Sequence, residues 1–130
     1  MIVAYDGSEP ARRALEHAAR IARRGSVVEV VNVIPVQSVS SRLVTVTDEQ
    51  DRAQKRLLRE AAAILGRRGL RAHLIPAVGD PATEILSAAE ASEADVIVVG
   101  RRRRSRGRRL REPLSTSLSR RTSRDVLIVH

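Results

Sequence analysis

The chain has 130 residues, 42% of them hydrophobic, and carries 24 Lys and Arg against 15 Asp and Glu, a net charge of +9. That length suits one domain around one buried core, expected to run over residues 1–130. The absence of Cys excludes disulfide and thiolate chemistry. No apolar run reaches the ~20 residues of a membrane-spanning helix, and Met1-Ile2-Val3 already reads as strand, so a cytoplasmic location with no membrane partner is expected.

Met1–Tyr5 is a short apolar strand, followed by Asp6-Gly7-Ser8-Glu9-Pro10. Ser8 or Asp6 can cap the next helix, and Pro10 suits its first turn, where a missing N–H costs nothing. Ala11, Ala14, Leu15, Ala18, Ile21 and Ala22 share one face of that helix, and Gly25 is a suitable stop. Val27–Ile34 reads as the second strand and Pro35–Val46 as a long loop. Thr47 with Gln50 forms a capping box for a second helix with Ala53, Leu57, Ala61, Ile64 and Leu65 inward. Arg71–Ala77 is a third strand. Gly79-Asp80-Pro81 restarts a helix, with Asp80 as its cap and Ile85, Leu86, Ala88 and Ala89 inward.

Val96–Gly100 is a fourth strand, Leu114–Ser123 a short helix and Val126–Val129 a fifth strand. Strands alternating with helices of this length give an α/β fold with a parallel, doubly wound sheet and helices on both faces. Val3, Val30, Leu74, Val98 and Leu127 are expected in its buried strands. The core is unusual in kind: there is no Phe and no Trp and only one Tyr, which suits strands covered by closely approaching, Ala-faced helices.

The fourth strand carries the sharpest functional signal. Asp95-Val96-Ile97-Val98-Val99-Gly100 runs directly into Arg101-Arg102-Arg103-Arg104-Ser105-Arg106-Gly107-Arg108-Arg109. The loop after such a strand lies at the carboxyl edge of the sheet, where ligands bind. Residues 1–100 hold 12 Arg and one Lys against 13 acids, whereas residues 101–130 hold 11 Arg against Glu112 and Asp125. Base composition of a genome accounts for Arg over Lys but not for this placement. An anionic ligand is therefore expected at the Arg-rich loop. Eight Arg repel one another between Arg101 and Glu112, and nothing apolar before Leu110 anchors them, so a mobile loop is expected.

Other chemistries find no support in the sequence. His17, His73 and His130 are scattered, so no metal site is predicted. There is no Gly-x-x-x-x-Gly-Lys-Ser/Thr loop, which excludes a P-loop NTPase. No paired carboxylates or nucleophile–base pattern mark an enzyme.

Ile2-Val3-Ala4-Tyr5-Asp6-Gly7-Ser8, Gly79-Asp80-Pro81-Ala82, Val96–Gly100 and Asp125-Val126-Leu127-Ile128-Val129 together resemble the universal stress protein family, in order and over the whole chain. The resemblance implies a five-stranded parallel sheet of order 3-2-1-4-5, a homodimer and, as in some members, bound ATP or AMP. It places Asp6 near ribose and adenine, with Ala4 and Val99 at the neighbouring strand ends, and brings the Val33 backbone to the base edge. Nucleotide-binding members carry Gly-x-x-Gly, nine residues, then Gly-Ser/Thr after the fourth strand. Gly100 fits the first position, with Arg102 inside the loop.

Two registers continue from there. One puts Arg103 on the second glycine and Pro113-Leu114 on the final pair. The other inserts three residues, bringing Gly107 near the second glycine and Thr116-Ser117 onto the final pair; the following Leu118-Ser119-Arg120-Arg121 favours it. In both the glycine cradle is eroded. Either Arg forks replace backbone N–H groups as phosphate ligands, or their bulk closes the pocket. Two further readings stand beside nucleotide binding: nucleic-acid phosphates could dock on Arg101–Arg111, or the chain could be a structural dimer without nucleotide. The segment has no aromatic residue for base stacking, which argues against single-strand recognition. The last strand, Val126–Val129, is an edge with no Lys or Pro to blunt it, so the homodimer is expected there.

Overall fold

A computed structural model describes residues 1–36, 45–102 and 112–130. In chain order it comprises β1 (Ile2–Ala4), α1 (Glu9–Ile21), β2 (Val27–Pro35), α2 (Asp48–Gly66), β3 (Arg71–Gly79), α3 (Pro81–Ala91), β4 (Val96–Gly100), α4 (Leu114–Arg121) and β5 (Asp125–Val129). The five strands form one sheet of order β3-β2-β1-β4-β5 with every pair parallel: the parallel pairing expected from the alternation of elements and the order that the family resemblance implied. The mobility expected of Arg101–Glu112 falls mostly outside the described residues. So do Arg103, Gly107 and most of the loop read at Pro35–Val46, whose first residue in fact closes β2.

Local capping chemistry sets the helix starts. Ser8 Oγ accepts the Ala11 N–H at 3.3 Å, which assigns the first cap to Ser8 and not to Asp6. Thr47 and Gln50 form the predicted reciprocal box. Asp80 accepts the Thr83 N–H at 3.0 Å. The Thr83 hydroxyl, donating to the same carboxylate, holds the Asp80 pKa below its ordinary value. α1 ends at Ile21, earlier than the Gly25 stop; Gly25 lies in the following turn, at φ +80°.

Period-2 side-chain alternation divides the core between the two faces of the sheet. Val3, Val28, Val30 and Val98 meet α1 and α2, while Ile2, Val31, Ile97 and Val99 meet α3 and α4. Leu74 and Leu127 are only half-buried, a correction to their expected place in the core. Both lie on the outer strands, β3 and β5, which have a neighbour on one side only. Ile21, expected inward, is 53% exposed as the last residue of α1. On α2, Ala61, Ile64 and Leu65 are buried as expected, but in its first half Gln54 and Leu58 are buried while Ala53 and Leu57 are half-buried, so there the inner stripe sits one residue further along.

Candidate functional site

The chain builds β1, β2 and β3 toward one edge of the sheet and then crosses back to build β4 and β5 toward the other. The carboxyl ends of β1 and β4 therefore flank the point where strand order reverses, the usual crevice of an open α/β sheet. The Asp6-Gly7-Ser8 turn leaves β1 there. Gly7 has φ +80°, so the backbone of this turn favours glycine; a Cβ on it would also lie 2.5 Å from Leu57 Cδ2, a side-chain end that would have to shift. Asp6 Oδ1 accepts the Ser8 N–H at 2.9 Å. Its Oδ2 pairs with the Arg102 guanidinium, linking the loops after β1 and β4 across the crevice.

Tyr5 anchors this turn from below. Its hydroxyl donates to Glu60 Oε1 at 2.5 Å, and Arg12 Nη2 donates to the same oxygen at 2.8 Å, tying β1, α1 and α2 together. Burial, reinforced by the Glu60 carboxylate, pushes the Tyr5 pKa up to about 12. The hydroxyl hydrogen bond in turn lowers the Glu60 pKa.

Gly100 lies against the first turn of α1. A Cβ there would come within 2.2 Å of Pro10 O, so this glycine admits helix backbone and is not an open cradle. Arg13 is one turn beyond Pro10 on the same helix face. It lines, with Arg101, Arg102, Pro113, Ser115, Thr116, Ile128 and His130, a cleft of about 890 Å³ at the ends of β4 and β5. Arg101 is held in place by its N–H, which donates to Val129 O at 2.8 Å, and its guanidinium lies 3.3 Å from His130 Nδ1.

α4 opens onto the same cleft. Its N-cap is Pro113, which supplies no side-chain acceptor. The first intrahelical bond runs from Ser117 N–H to Pro113 O at 3.0 Å, so the N–H groups of the preceding turn point outward unpaired by the helix. Leu118, fully buried, seats this helix on the sheet. Arg121 reaches Thr83 Oγ1 at 3.0 Å, and Arg120 grips Glu112 at 2.7 and 3.1 Å. Cationic side chains, amides left unpaired among the described residues and the positive end of a helix dipole thus converge on one side of the switch point, an arrangement suited to phosphate.

The predicted site residues divide accordingly. Asp6, Gly100, Arg102 and Thr116 gather around the crevice. Ala4 is half-buried and Val99 is 2% exposed, their side chains packed toward α3 and α4, so only their backbones can face a ligand. Ser117 is half-buried and its N–H is committed within α4. Val33 lies one strand over, beyond the end of β1. Arg13 and His130 fall outside the predicted contact set; only the approach of α1 to β4 and of β5 to the Arg101 backbone brings them beside Arg101 of the expected Arg-rich loop. Among the described residues no group of three metal-ligating side chains comes together. At the amino ends of β4 and β5, a smaller depression of about 440 Å³ is lined by Glu93, Asp95 and Asp125 with Arg124. Its acids disfavour an anion.

Comparison with solved structures returns the same architecture. A universal stress protein in complex with cAMP shares 28% identity at a TM-score of 0.77, covering 99% of this chain and 94% of that one. The universal stress protein from Archaeoglobus fulgidus matches at 27% identity and a TM-score of 0.78, covering 99% and 96%. The Archaeoglobus fulgidus structure in complex with dAMP matches at 26% identity and 0.76, covering 99% and 95%. Comparison with curated proteins gives no match. The family model for the Universal stress protein family matches residues 1–130, and together with the parallel 3-2-1-4-5 sheet this places the chain in that family.

Proposed function

We propose that this chain is a one-domain, cytoplasmic binding module of the stress response that takes an adenine nucleotide, ATP or AMP, and acts as a regulator rather than a catalyst. The observation that carries the reading is the cleft of Arg13, Arg101 and Arg102 facing the uncapped start of α4, beside the sheet's switch point. Phosphates would sit among these guanidinium groups and the free α4 amides, the ribose near Asp6 and the base against the Val33 backbone. Solved structures of relatives with cAMP and dAMP support the nucleotide class. The guanidinium forks of Arg13, Arg101 and Arg102 support this reading, since such forks match phosphate oxygens as backbone amides of a glycine loop do.

The homodimer belongs to the same proposal. β3 carries Pro76, whose missing N–H blunts that edge, whereas β5 offers Val126–Val129 with no such protection. Calorimetry with ATP and AMP tests the ligand reading. Binding that weakens at least tenfold in the Arg13→Ala/Arg102→Ala double variant is expected. No heat with either nucleotide, together with tight and steeply salt-dependent binding of an oligonucleotide, would replace this reading with docking on nucleic-acid phosphates.

A further inference from the structure

β2 outruns β1. The β1 ladder pairs Ile2, Val3 and Ala4 with Glu29, Val30 and Val31, whereas the β3 ladder continues to Pro35 and Gly79. In a parallel sheet alternate residues of a strand bond to opposite neighbours. Arg71 N–H donates to Ser26 O and Val36 N–H donates to Gly79 O, both at 3.2 Å, so even-numbered residues along β2 bond toward β3. Glu29 N–H donates to Met1 O at 3.2 Å and Tyr5 N–H donates to Val31 O at 2.9 Å, so odd-numbered residues bond toward β1.

Val33 is the next odd residue, past the end of β1. Were the ladder to continue, its N–H would donate to Tyr5 O. That bond is not made among the described residues. The Asn32 side-chain amide donates to Tyr5 O in its place, at 2.8 Å. Asn32 is held in turn by Gln54, whose Nε2 donates to Asn32 O and Ala77 O, each at 2.9 Å. Asn32 and Gln54 are the two buried polar side chains of the described core, and both act at this one point. A buried amide persists where its hydrogen bonds are made, and here making them ends a ladder that β2 could have extended.

We propose that Asn32, held by Gln54, is a positioning residue for base recognition. By occupying Tyr5 O it leaves the Val33 N–H and C=O adjacent and, among the described residues, unpaired, a donor beside an acceptor at the rim of the crevice. That pair accepts a ring edge carrying an acceptor beside a donor, as the N1 and amino group of adenine do. With the phosphates held at the arginines, guanine presents the opposite order. The base-reading step rests on the nucleotide reading above; the ladder-ending step does not.

Amide hydrogen exchange on the full chain, followed by NMR, separates the two. Without ligand, the Val33 amide is expected to exchange at least about a hundredfold faster than that of Val31, which lies inside the β1 ladder. Saturating ATP should slow it about tenfold or more. In Asn32→Leu, Val33 should turn to Tyr5 O, its exchange slowing without ligand, while ATP affinity falls about tenfold, the equivalent of one hydrogen bond. Asn32→His, which keeps a donor nitrogen at similar reach, should restore both. Should Asn32→Leu not fold, the unmodified chain still decides, since equal protection of Val33 and Val31 overturns the proposal. ATP binding by calorimetry without slowing of Val33, or binding of GTP equal to ATP, overturns the base-reading step. If no nucleotide binds, the functional reading fails while the ligand-free exchange rates still judge the ladder-ending step.

Discussion

Replacing Gly100 with Ala tests whether the approach of α1 to β4 builds the site. The new Cβ would stand 2.2 Å from Pro10 O and 2.3 Å from Pro10 C, more than 1 Å inside the 3.4 Å at which contact becomes ordinary. The obstacle is helix backbone, which cannot rotate away as a side chain can. Gly100 is also pinned on its other side by its place opposite Val129 in the β4–β5 ladder. Relief therefore requires the start of α1 to lift from the sheet, loosening contacts of Ala11 and Ala14, both buried. Overpacking of this kind costs about 1–3 kcal/mol. Urea denaturation should show that loss as a lower midpoint at unchanged slope. Because Arg13 and the Asp6 turn move with α1, nucleotide affinity should fall as well. Gly25→Ala is the control: no atom lies within 4 Å of its Cβ, so only the φ of +80° is strained, at about 1–2 kcal/mol, and affinity should not change. A Gly100→Ala protein as stable as the parent, within about 0.5 kcal/mol, would refute the packing argument.

Leu118→Ala removes the one buried side chain of α4 and should cost about 2–5 kcal/mol, while weakening phosphate binding through the displaced helix start; denaturation and calorimetry read the two effects. Tyr5 keeps its proton in the folded chain to about pH 12, against an ordinary value of 10.0, so the unfolded chain ionises first. Its contribution is complete below pH 10 and is lost as pH rises through 12. The chain has one Tyr, so tyrosinate absorbance reports it directly, and a folded-state midpoint near 10 would contradict the buried Tyr5–Glu60 contact. Sedimentation at micromolar concentration should show a dimer that tightens with salt, as screening relieves repulsion between the two Arg-rich loops. Val129 O accepts from Arg101 N–H, so odd-numbered residues of β5 bond toward β4 and the Val126 N–H faces the open edge. Val126→Pro, which removes that outward donor and leaves the β4 ladder intact, should yield monomers; a dimer that persists would place the interface elsewhere.

Much of the fold was legible along the chain because it depends on local chemistry. Thr47 and Gln50 three residues apart, Asp80 before Pro81, and β-branched runs closed by Gly each specify an element start or end without knowledge of the rest. The order of those elements, with the family resemblance, specified the sheet topology. The concentration of net charge after Gly100 was equally plain, and it pointed to the carboxyl edge of β4 as the candidate anion site. Three things required the tertiary structure. Leu74 and Leu127 look like core residues in sequence, yet strand order puts both at edges. Arg13 and His130, at opposite ends of the chain, meet at one cleft only because α1 packs on β4 while β5 ends beside Arg101. Nothing along the chain marks Asn32 or Gln54; only the folded sheet shows the Asn32 amide on Tyr5 O at the point where β1 stops and β2 runs on, with Gln54 on the Asn32 carbonyl. Which residues form a strand is set by neighbours in sequence, but which backbone groups remain unpaired is set by where the adjacent strand stops.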